Sequence, residues 1–247
     1  MGIKARKRMK RLQTQAENGD LYAQCHLADL YLQQETARGN RAAIPWLRRA
    51  ACQGDSWAQY QLGFAYQEGL GVPRNKRQAV HYYRLSATQG YDSAQLNLGI
   101  LYANRRGRNR DLKEAVRLYR LAARQGNANA CFNLGLYYEI GRGVPQSDRQ
   151  SFRWYLKAAE RGEREAQRIV GYDYHKGIGV RRDPLMAVSW YRRAARAGDV
   201  HAQYNLALCY LEGSGPRRSL RQARKWLTKA AQQGHEKARR RLSHISL

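Results

Sequence analysis

Residues 58–90 read AQYQLGFAYQEGLGVPRNKRQAVHYYRLSATQG, and the same pattern returns along the chain every 36 residues. The glycine that closes this stretch belongs to a series at constant spacing: Gly54, Gly90, Gly126, Gly162, Gly198 and Gly234. Gly19 precedes Gly54 by 35 residues. Self-similarity at such a period is typical of repeat proteins, in which each unit buries its apolar face against its neighbours.

The first half of each repeat predicts one α-helix. A small residue opens the quoted repeat at Ala58, and Leu62, Gly63 and Tyr66 follow at four, five and eight residues. These offsets place the four residues on one stripe of a helix, and the small residue at Gly63 predicts a close approach by another helix. The tyrosine recurs in every repeat: Tyr31, Tyr66, Tyr102, Tyr138, Tyr174 and Tyr210.

The second half of each repeat predicts another helix with its own start and stop signals. Residues that can cap a helix N-terminus recur at Asn75, Asp111, Ser147, Asp183 and Ser219. An apolar, mostly aromatic column follows them at Trp46, Tyr82, Leu118, Trp154, Trp190 and Trp226. The closing glycine suits the left-handed conformation that commonly follows a helix end. Each repeat is therefore predicted to be helix, short loop, helix and tight turn.

These columns resemble the Sel-one-like repeat, a longer-looped relative of the tetratricopeptide repeat. Its pattern, A-x3-L-G-x2-Y-x2-G-x-G-V and then N/D-x3-A-x2-W/Y-Y-x2-A-A-x2-G, matches residues 58–90 almost throughout. The resemblance covers residues 20–234 and implies an all-α fold, a right-handed α-solenoid of six stacked antiparallel helix pairs. We expect residues 1–19 to be a basic segment with a partial repeat helix, and residues 235–247 to be a C-terminal capping helix.

Composition narrows the functional classes. Lys and Arg number 45 against 19 Asp and Glu, a net charge of +26, which attracts an acidic protein, nucleic acid or an anionic membrane. No apolar run approaches the roughly 18 residues of a membrane span, and no apolar core follows the basic N-terminus. We therefore expect a cytoplasmic protein, or a periplasmic one if a leader has been removed. The four cysteines lack CxxC spacing, which predicts reduced thiols and no zinc site.

The motif GLGVPRN at residues 69–75, which returns as GRGVPQS and GIGVRRD, raises the alternative of a phosphate-binding loop. A dinucleotide-binding fingerprint needs the motif G-x-G-x-x-G, with its third glycine, between a strand and a helix. A Walker loop needs G-K-[ST]. Neither is present, so we interpret the motif as a turn between helices. The six histidines have no repeat-defined nucleophile or acid partner, so we expect no catalytic residue, no cofactor and no metal. The resemblance implies an adaptor and not an enzyme.

The first helices are the expected binding surface, because they line the concave groove in the related tetratricopeptide solenoids. The predicted partner-binding residues are Trp57, Tyr60, Gln61, Asn97, Phe132, Asn133, Tyr172, Tyr204 and Asn205. The asparagine column either bonds a partner's backbone or carboxylate, or bonds the backbone of the next repeat. The aromatic columns either hold a partner's side chains or pack between repeats. Both alternatives stay open on the sequence alone.

The arginines concentrate on the second helices and the loops. The predicted basic surface contains Arg105, Arg106, Arg108, Arg110, Arg181, Arg182, Arg192, Arg193, Arg217 and Arg218. It is either a solvated coat or a surface that steers an acidic partner. The leading hypothesis is a bacterial, non-enzymatic adaptor, monomeric or weakly oligomeric, that binds an acidic protein, in one form as an immunity or regulatory partner. The alternative is nucleic-acid or anionic-membrane binding through the arginine-rich face.

Overall fold

The chain forms an all-α repeat fold, as predicted. A computed structural model describes residues 3–104 and 109–245, and this part contains fourteen α-helices and no strand. Each repeat contributes two consecutive helices, which we call helix A and helix B. The contacts divide the chain into two compact units, residues 1–122 and 123–247, and each is described by itself.

The first unit begins with a single helix and continues with three helix pairs. Its helices are α1 (Ile3–Glu17), α2 (Leu21–Leu32), α3 (Ala37–Cys52), α4 (Ser56–Glu68), α5 (Lys76–Thr88), α6 (Asp92–Ala103) and α7 (Asn109–Arg124), the last of which ends just inside the second unit. Helices α2, α4 and α6 are helices A. Their partners α3, α5 and α7 are helices B.

The second unit contains three further helix pairs and a short final helix. Its helices are α8 (Ala128–Ile140), α9 (Asp148–Glu160), α10 (Arg164–Lys176), α11 (Pro184–Arg196), α12 (Val200–Glu212), α13 (Leu220–Gln232) and α14 (Glu236–Ser243). Helices α8, α10 and α12 are helices A, and α9, α11 and α13 are helices B. Helix α14 packs on α13 through the buried Ala238.

The small residue of helix A makes room for a side chain of helix B. A Cβ atom added to Gly63 would lie 2.6 Å from Cδ1 of Tyr83, so only hydrogen fits between this backbone and the fully buried ring. The same pairing recurs in the other central repeats as Gly99 with Tyr119, Gly135 with Tyr155 and Gly171 with Tyr191. The first and sixth repeats have alanine in place of the glycine and leucine in place of the tyrosine. These pairs, Ala28 with Leu47 and Ala207 with Leu227, lie inside buried clusters.

Buried glutamines connect all but one of the helices A to the preceding helix B; in α8 the equivalent residue is Cys131. The Gln59 amide donates to the carbonyl oxygen of Ala51 at the end of the preceding helix B (3.2 Å), and its own oxygen accepts from Gln89 (2.8 Å). The equivalent bonds from helix A to the preceding helix B are Gln24 to Ala16, Gln95 to Ala87, Gln167 to Ala159 and Gln203 to Ala195. Arg239 of α14 donates to Ala231 in the same way. Helix α1 thus occupies a helix B position, and α14 occupies the position of a helix A.

The GLGVPRN motif is a turn between helices A and B. Gly69 ends α4 in the left-handed conformation (φ 78°), and Gly71 also has positive φ (73°). A Cβ atom on Gly71 would lie 2.6 Å from the carbonyl oxygen of Asn40 in the preceding helix B. The Asn75 side chain then accepts from the backbone N–H groups of the first turn of α5. The motif therefore closes the loop onto the preceding repeat, and its last residue caps helix α5.

One of the predicted caps is wrong. Ser147, Asp183 and Ser219 cap α9, α11 and α13 as expected. Helix α7 instead begins at Asn109, which places Asp111 inside its first turn. The carboxylate still lies where the helix dipole favours negative charge, which explains why the column looked uniform in the sequence.

Candidate functional site

Helices A of both units expose apolar side chains at one repeat position. The residue six positions after the opening alanine is large in five repeats, and it is exposed at Phe64, Leu136 and Tyr172 (37%, 37% and 43%). We define the A-helix surface by this position and the one three residues before it in the second to sixth repeats. In the first unit it comprises Gln61, Phe64, Asn97 and Ile100, and in the second Asn133, Leu136, Ile169, Tyr172, Asn205 and Leu208.

In the first unit this surface contains an apolar cavity of about 340 Å³. Gln61 and Phe64 of α4 form one wall, and Leu32 and Ile44 of the preceding helix pair form the other. Leu70 of the loop motif, Ala65 and the polar residues Glu35 and Asn40 complete the lining. The cavity suits an aliphatic or aromatic side chain whose polar atoms meet Gln61.

In the second unit two cavities flank Tyr172 of α10. The smaller, about 240 Å³, lies toward α12 and is lined by Asn205 and Leu208 of the A-helix surface and by His175. Burial lowers the pKa of His175, and its buried Nδ1 has no hydrogen-bond partner among the described residues. The larger, about 300 Å³, lies toward α8 and α9 and contains Asp173. Tyr172 thus lines both cavities.

Asp173 is the most perturbed carboxyl group of the larger cavity. It is 6% exposed, and burial raises its pKa to about 7, with further contributions from the negative charges of Glu139 and Asp148. The Tyr155 hydroxyl donates to Glu139 at 2.6 Å and leaves Asp173 without that donor. Asp173 occupies a repeat position that is otherwise apolar: Leu30, Ala65, Leu101, Tyr137 and Cys209. The sequence analysis did not single out Asp173, although a carboxylate at an otherwise apolar repeat position could have indicated a functional residue.

The aromatic residues predicted to bind a partner mostly pack inside the repeats. Tyr60 contacts the rings of Tyr83 and Tyr91, with centroids 5.8 and 5.1 Å away. In the second unit Phe132 lies 5.4 Å from Tyr155, and Tyr204 stacks on His235 at 4.6 Å. Trp57 is half-buried against the core of the first unit. Of the aromatic candidates, Tyr172 is the one that is exposed and lines cavities.

The predicted polar residues divide between packing and the A-helix surface. Asn97 donates to the Tyr83 hydroxyl of the preceding repeat at 3.2 Å, so its partner is a side chain and not backbone. Gln61 and Asn205 line cavities. Asn133 is half-buried on the A-helix surface of α8. One member of this column therefore bonds a side chain of the preceding repeat, whereas two others line cavities.

Several arginines of the predicted basic surface also stabilise the fold. Arg182 donates from Nε to the His175 carbonyl (3.1 Å), and half-buried Arg192 donates to the Tyr210 hydroxyl of the next repeat (3.1 Å). The Arg193 guanidinium lies 4.5 Å from the centre of the Trp190 ring. Arg181, Arg217 and Arg218 of the second unit are also exposed. Arg105, Arg106 and Arg108 lie outside the described residues, as does the side chain of Arg110, which is in the first turn of α7.

Cysteine and metal chemistry is limited in the described part of the chain. All four cysteines are free, and burial raises the pKa of Cys209 to about 11, which keeps this thiol protonated near neutral pH. The described residues contain no group of three or more His, Cys, Asp or Glu side chains arranged to hold a metal ion. None of the described helices has the length and hydropathy needed to cross a bilayer.

The sequence model of the Sel1 repeat matches residues 21–55, 58–91, 92–127, 128–163, 164–199 and 200–235. The chain belongs to the Sel1-repeat family. Sel1-repeat proteins generally mediate protein–protein interaction, and as scaffolds they are generally non-enzymatic. Comparison with curated protein sequences found no match.

Solved structures of Sel1-repeat proteins are similar to this chain. A protective antigen of uropathogenic Escherichia coli with the SLR fold is 38% identical, with a TM-score of 0.90 over 96% of this chain and 51% of its own. This chain thus spans about half of that protein. A Sel1 repeat protein from Oxalobacter formigenes is 34% identical, with a TM-score of 0.74 over 88% of this chain and 87% of its own.

A more distant similarity concerns the fold alone. An immunity protein from Pseudomonas aeruginosa is 19% identical, with a TM-score of 0.52 over 85% of this chain and 82% of its own. At that identity the shared feature is the stacking of helix pairs.

Proposed function

We propose that this Sel1-repeat protein is a non-enzymatic adaptor that binds an acidic protein through the A-helix surface. The observation that carries the proposal is the exposed apolar series Phe64, Leu136 and Tyr172, which occupies one repeat position on three helices A. Large apolar side chains that recur in solvent on one face are typical of interaction sites. Immunity or regulation, in which the bound protein is masked, is one form that such binding takes.

The cavities beside this series support binding of side chains. Phe64 borders the apolar cavity of the first unit, and Tyr172 borders both cavities of the second. Aromatic residues next to pockets commonly dominate the binding energy of protein interfaces. A partner segment that inserts side chains beside Phe64 or Tyr172 would bury apolar area and exclude water.

The positive charge supports an acidic partner. The net charge is +26, and the exposed arginines of the second unit include Arg181, Arg217 and Arg218 on the loops before helices B. These three side chains form no ion pair with the described residues. Charges at the edge of an interface mainly accelerate association, whereas the buried contacts set the lifetime of the complex.

The test is capture of a partner from nuclease-treated native lysate by the immobilised protein, followed by a wash at about 0.5 M salt, which screens surface charges strongly. We compare the wild type with the double variant Phe64→Ala/Tyr172→Ala. The matched control is Leu185→Ala/Leu220→Ala, which removes two exposed leucines from helices B (67% and 53% exposed).

We expect one protein to remain bound to the wild type and to the control, and to be lost from the Phe64→Ala/Tyr172→Ala variant. Equal retention by all three proteins would contradict binding through the A-helix surface. Capture that disappears with nuclease or in moderate salt would instead indicate nucleic-acid binding by the arginines, whose affinity falls steeply as counterions are released.

A further inference from the structure

The larger cavity of the second unit is a negatively charged site in a strongly positive protein. Its lining brings together three carboxylates from three helices, Glu139 of α8, Asp148 at the start of α9 and Asp173 of α10. Among the described residues that line it, Arg168 is the only cation. The cavity has a volume of about 300 Å³, enough for the end of one long side chain.

The arginine of this cavity is already paired with carboxylates that do not line the cavity. Its Nη2 atom lies 2.9 Å from Glu165 Oε1, and its Nε lies 3.7 Å from Asp199 Oδ2. Glu165 is on the same helix, and Asp199 caps the next helix A. The positive charge of Arg168 is therefore largely balanced outside the cavity, and the arginine donates no hydrogen bond to Asp173.

Asp173 has no partner in the described part of the chain. No described group donates a hydrogen bond to its carboxyl, although the residue is only 6% exposed and lines the cavity. Buried polar groups are almost always hydrogen-bonded, and an unpaired buried carboxylate is expensive. Its neighbours in the repeat column are apolar, so packing alone does not require a carboxyl here. A group that brings positive charge and hydrogen-bond donors into the cavity would satisfy this carboxyl.

The walls define the shape of that group. Tyr172, Ile169 and Ile178 contribute apolar surface to the lining, and Tyr172 and Ile178 are exposed to solvent (43% and 37%). An aliphatic stem fits between them. An ammonium group carries three donors on one compact charge at the end of an alkyl stem, whereas a guanidinium is a planar fork that needs more room. The described residues also lack an arrangement of ligands for a metal ion.

We propose that this cavity binds the side chain of a lysine from the protein partner, with its ammonium group at Asp173 and its alkyl stem along Tyr172. This inference rests on the proposed protein-binding function, since Tyr172 belongs to the A-helix surface. The partner is then acidic over the area that meets the arginines and carries one lysine opposite α10.

Binding of a cation here must depend on pH. The groups that face Asp173 are Glu139 on α8, Asp148 and Tyr155 on α9, Arg168 on α10 and Tyr191 on α11. Burial and the two carboxylates raise the pKa of Asp173 to about 7, so the free cavity holds a proton on this group at pH 6 and loses it by pH 8. Lysine affinity therefore rises between these two values, as the proton leaves.

The experiment titrates the full-length protein with the peptide acetyl-Gly-Lys-Gly-amide and follows the side-chain carboxyl signals by NMR. The norleucine peptide is the apolar control, the arginine peptide tests the choice of cation, and spermidine and Mg²⁺ test free cations.

Asp173→Asn removes the charge with little change in volume. Glu139→Gln/Asp148→Asn tests the two exposed carboxylates without altering a buried position. Glu212→Gln changes the cavity on the other side of Tyr172 and is the matched control.

We expect the lysine peptide to shift the Asp173 signal saturably, more strongly at pH 8 than at pH 6, while the norleucine peptide has no effect. Asp173→Asn should weaken binding about tenfold or more, the magnitude of one lost charged hydrogen bond, and Glu212→Gln should change it less than twofold. Glu139→Gln/Asp148→Asn should also weaken it. No shift with the lysine peptide, equal binding to Asp173→Asn, or a preference for arginine, spermidine or Mg²⁺ would overturn the inference.

The peptide titration and the capture experiment fail separately. If the wild type binds the lysine peptide but captures no protein from lysate, the adaptor function is overturned, and with it the assignment of the lysine to a protein partner. Capture that persists at wild-type level in Asp173→Asn, without peptide binding to the wild type, would overturn the lysine site and leave the adaptor function.

Discussion

Repeat 5 (α10 and α11) and repeat 6 (α12 and α13) are neighbours in the second unit, and the residues at several buried positions differ between them. Repeat 5 has Gly171 packed against the Tyr191 ring, whereas repeat 6 has Ala207 in the same cluster as Leu227. At a third position repeat 5 has the buried Asp173, whereas repeat 6 has the buried Cys209. The first two differences compensate each other in volume. The third has no compensating partner in the described residues.

The Gly–Tyr and Ala–Leu pairs are explained by packing, whereas Asp173 is not. A larger ring opposite glycine and a smaller leucine opposite alanine both fill the space between helices A and B, so either pair satisfies close packing. A buried carboxyl without a donor opposes folding and persists only when something else favours it. Positions that break a local rule are often functional, which directs attention to Asp173.

The change of largest expected effect converts repeat 5 to repeat 6 at the third position, Asp173→Cys. The raised pKa of Asp173, about 7, means that the folded protein keeps a proton that the unfolded chain releases near pH 4. Wild-type stability should therefore fall as pH rises from 4 to 7, whereas the variant lacks this loss. The variant should gain on the order of 3 kcal/mol relative to wild type between pH 4 and pH 8. Urea unfolding at both pH values measures it.

Glu212→Gln is the control for this experiment, because Glu212 is exposed and its substitution should change stability little at either pH. A difference between Asp173→Cys and wild type that does not vary with pH would show that Asp173 ionises normally in the folded protein.

Gly171→Ala should be the next largest effect. The added methyl group would lie 2.7 Å from Cδ1 of Tyr191 and 3.2 Å from the carbonyl oxygen of Ala187, so the ring or the helix must move. Overpacking of this kind costs about 1–3 kcal/mol, partly offset by the better helix propensity of alanine. We expect a net loss of about 1–2 kcal/mol by chemical denaturation. Unchanged or increased stability would mean that the Tyr191 ring has free space.

Combining Gly171→Ala with Tyr191→Leu installs the pair found in repeat 6. Leucine leaves room for the methyl group, so the double variant should be more stable than the sum of the two single changes predicts. We expect a favourable coupling energy of about 1 kcal/mol in a double-mutant cycle. If the two single effects add, the residues at positions 171 and 191 contribute independently to stability.

The smallest expected effect concerns a bond between these two repeats. Arg192→Gln removes the hydrogen bond from Arg192 to the Tyr210 hydroxyl. Since the arginine is half-buried, the loss should be about 0.5–1 kcal/mol. Arg181→Gln, at an exposed position, should leave the free energy of unfolding almost unchanged. Equal effects of the two substitutions would show that Arg192 has only the solvated role first predicted for the basic surface.

The sequence predicted most of the fold because glycine, proline and apolar columns report local backbone geometry. Gly54 and its equivalents, and the caps at Asn75 and Asp183, follow from the conformations that these residue types allow. The buried glutamines such as Gln59 escaped detection, because glutamine is usually a surface residue and its carbonyl partner is one repeat away.

The candidate site was harder to predict for a related reason. The columns gave the helix face, but not which side chains turn inward to the neighbouring repeat. Tyr60 and Asn97 have partners within the fold. Tyr172, which is also on a helix A, keeps its ring exposed to solvent. Asp173 became significant only when its burial and the nearby Glu139 were known.

The glutamine bonds have a consequence for the length of such proteins. Each bond joins one repeat to the next with the same donor and acceptor positions, and Arg239 of α14 continues the series beyond the sixth repeat. No contact of this kind needs a distant part of the chain to close it. Growth by whole repeats is therefore permitted by the architecture, and the E. coli protein, which matches 96% of this chain with 51% of its own, illustrates a longer protein that contains the same fold.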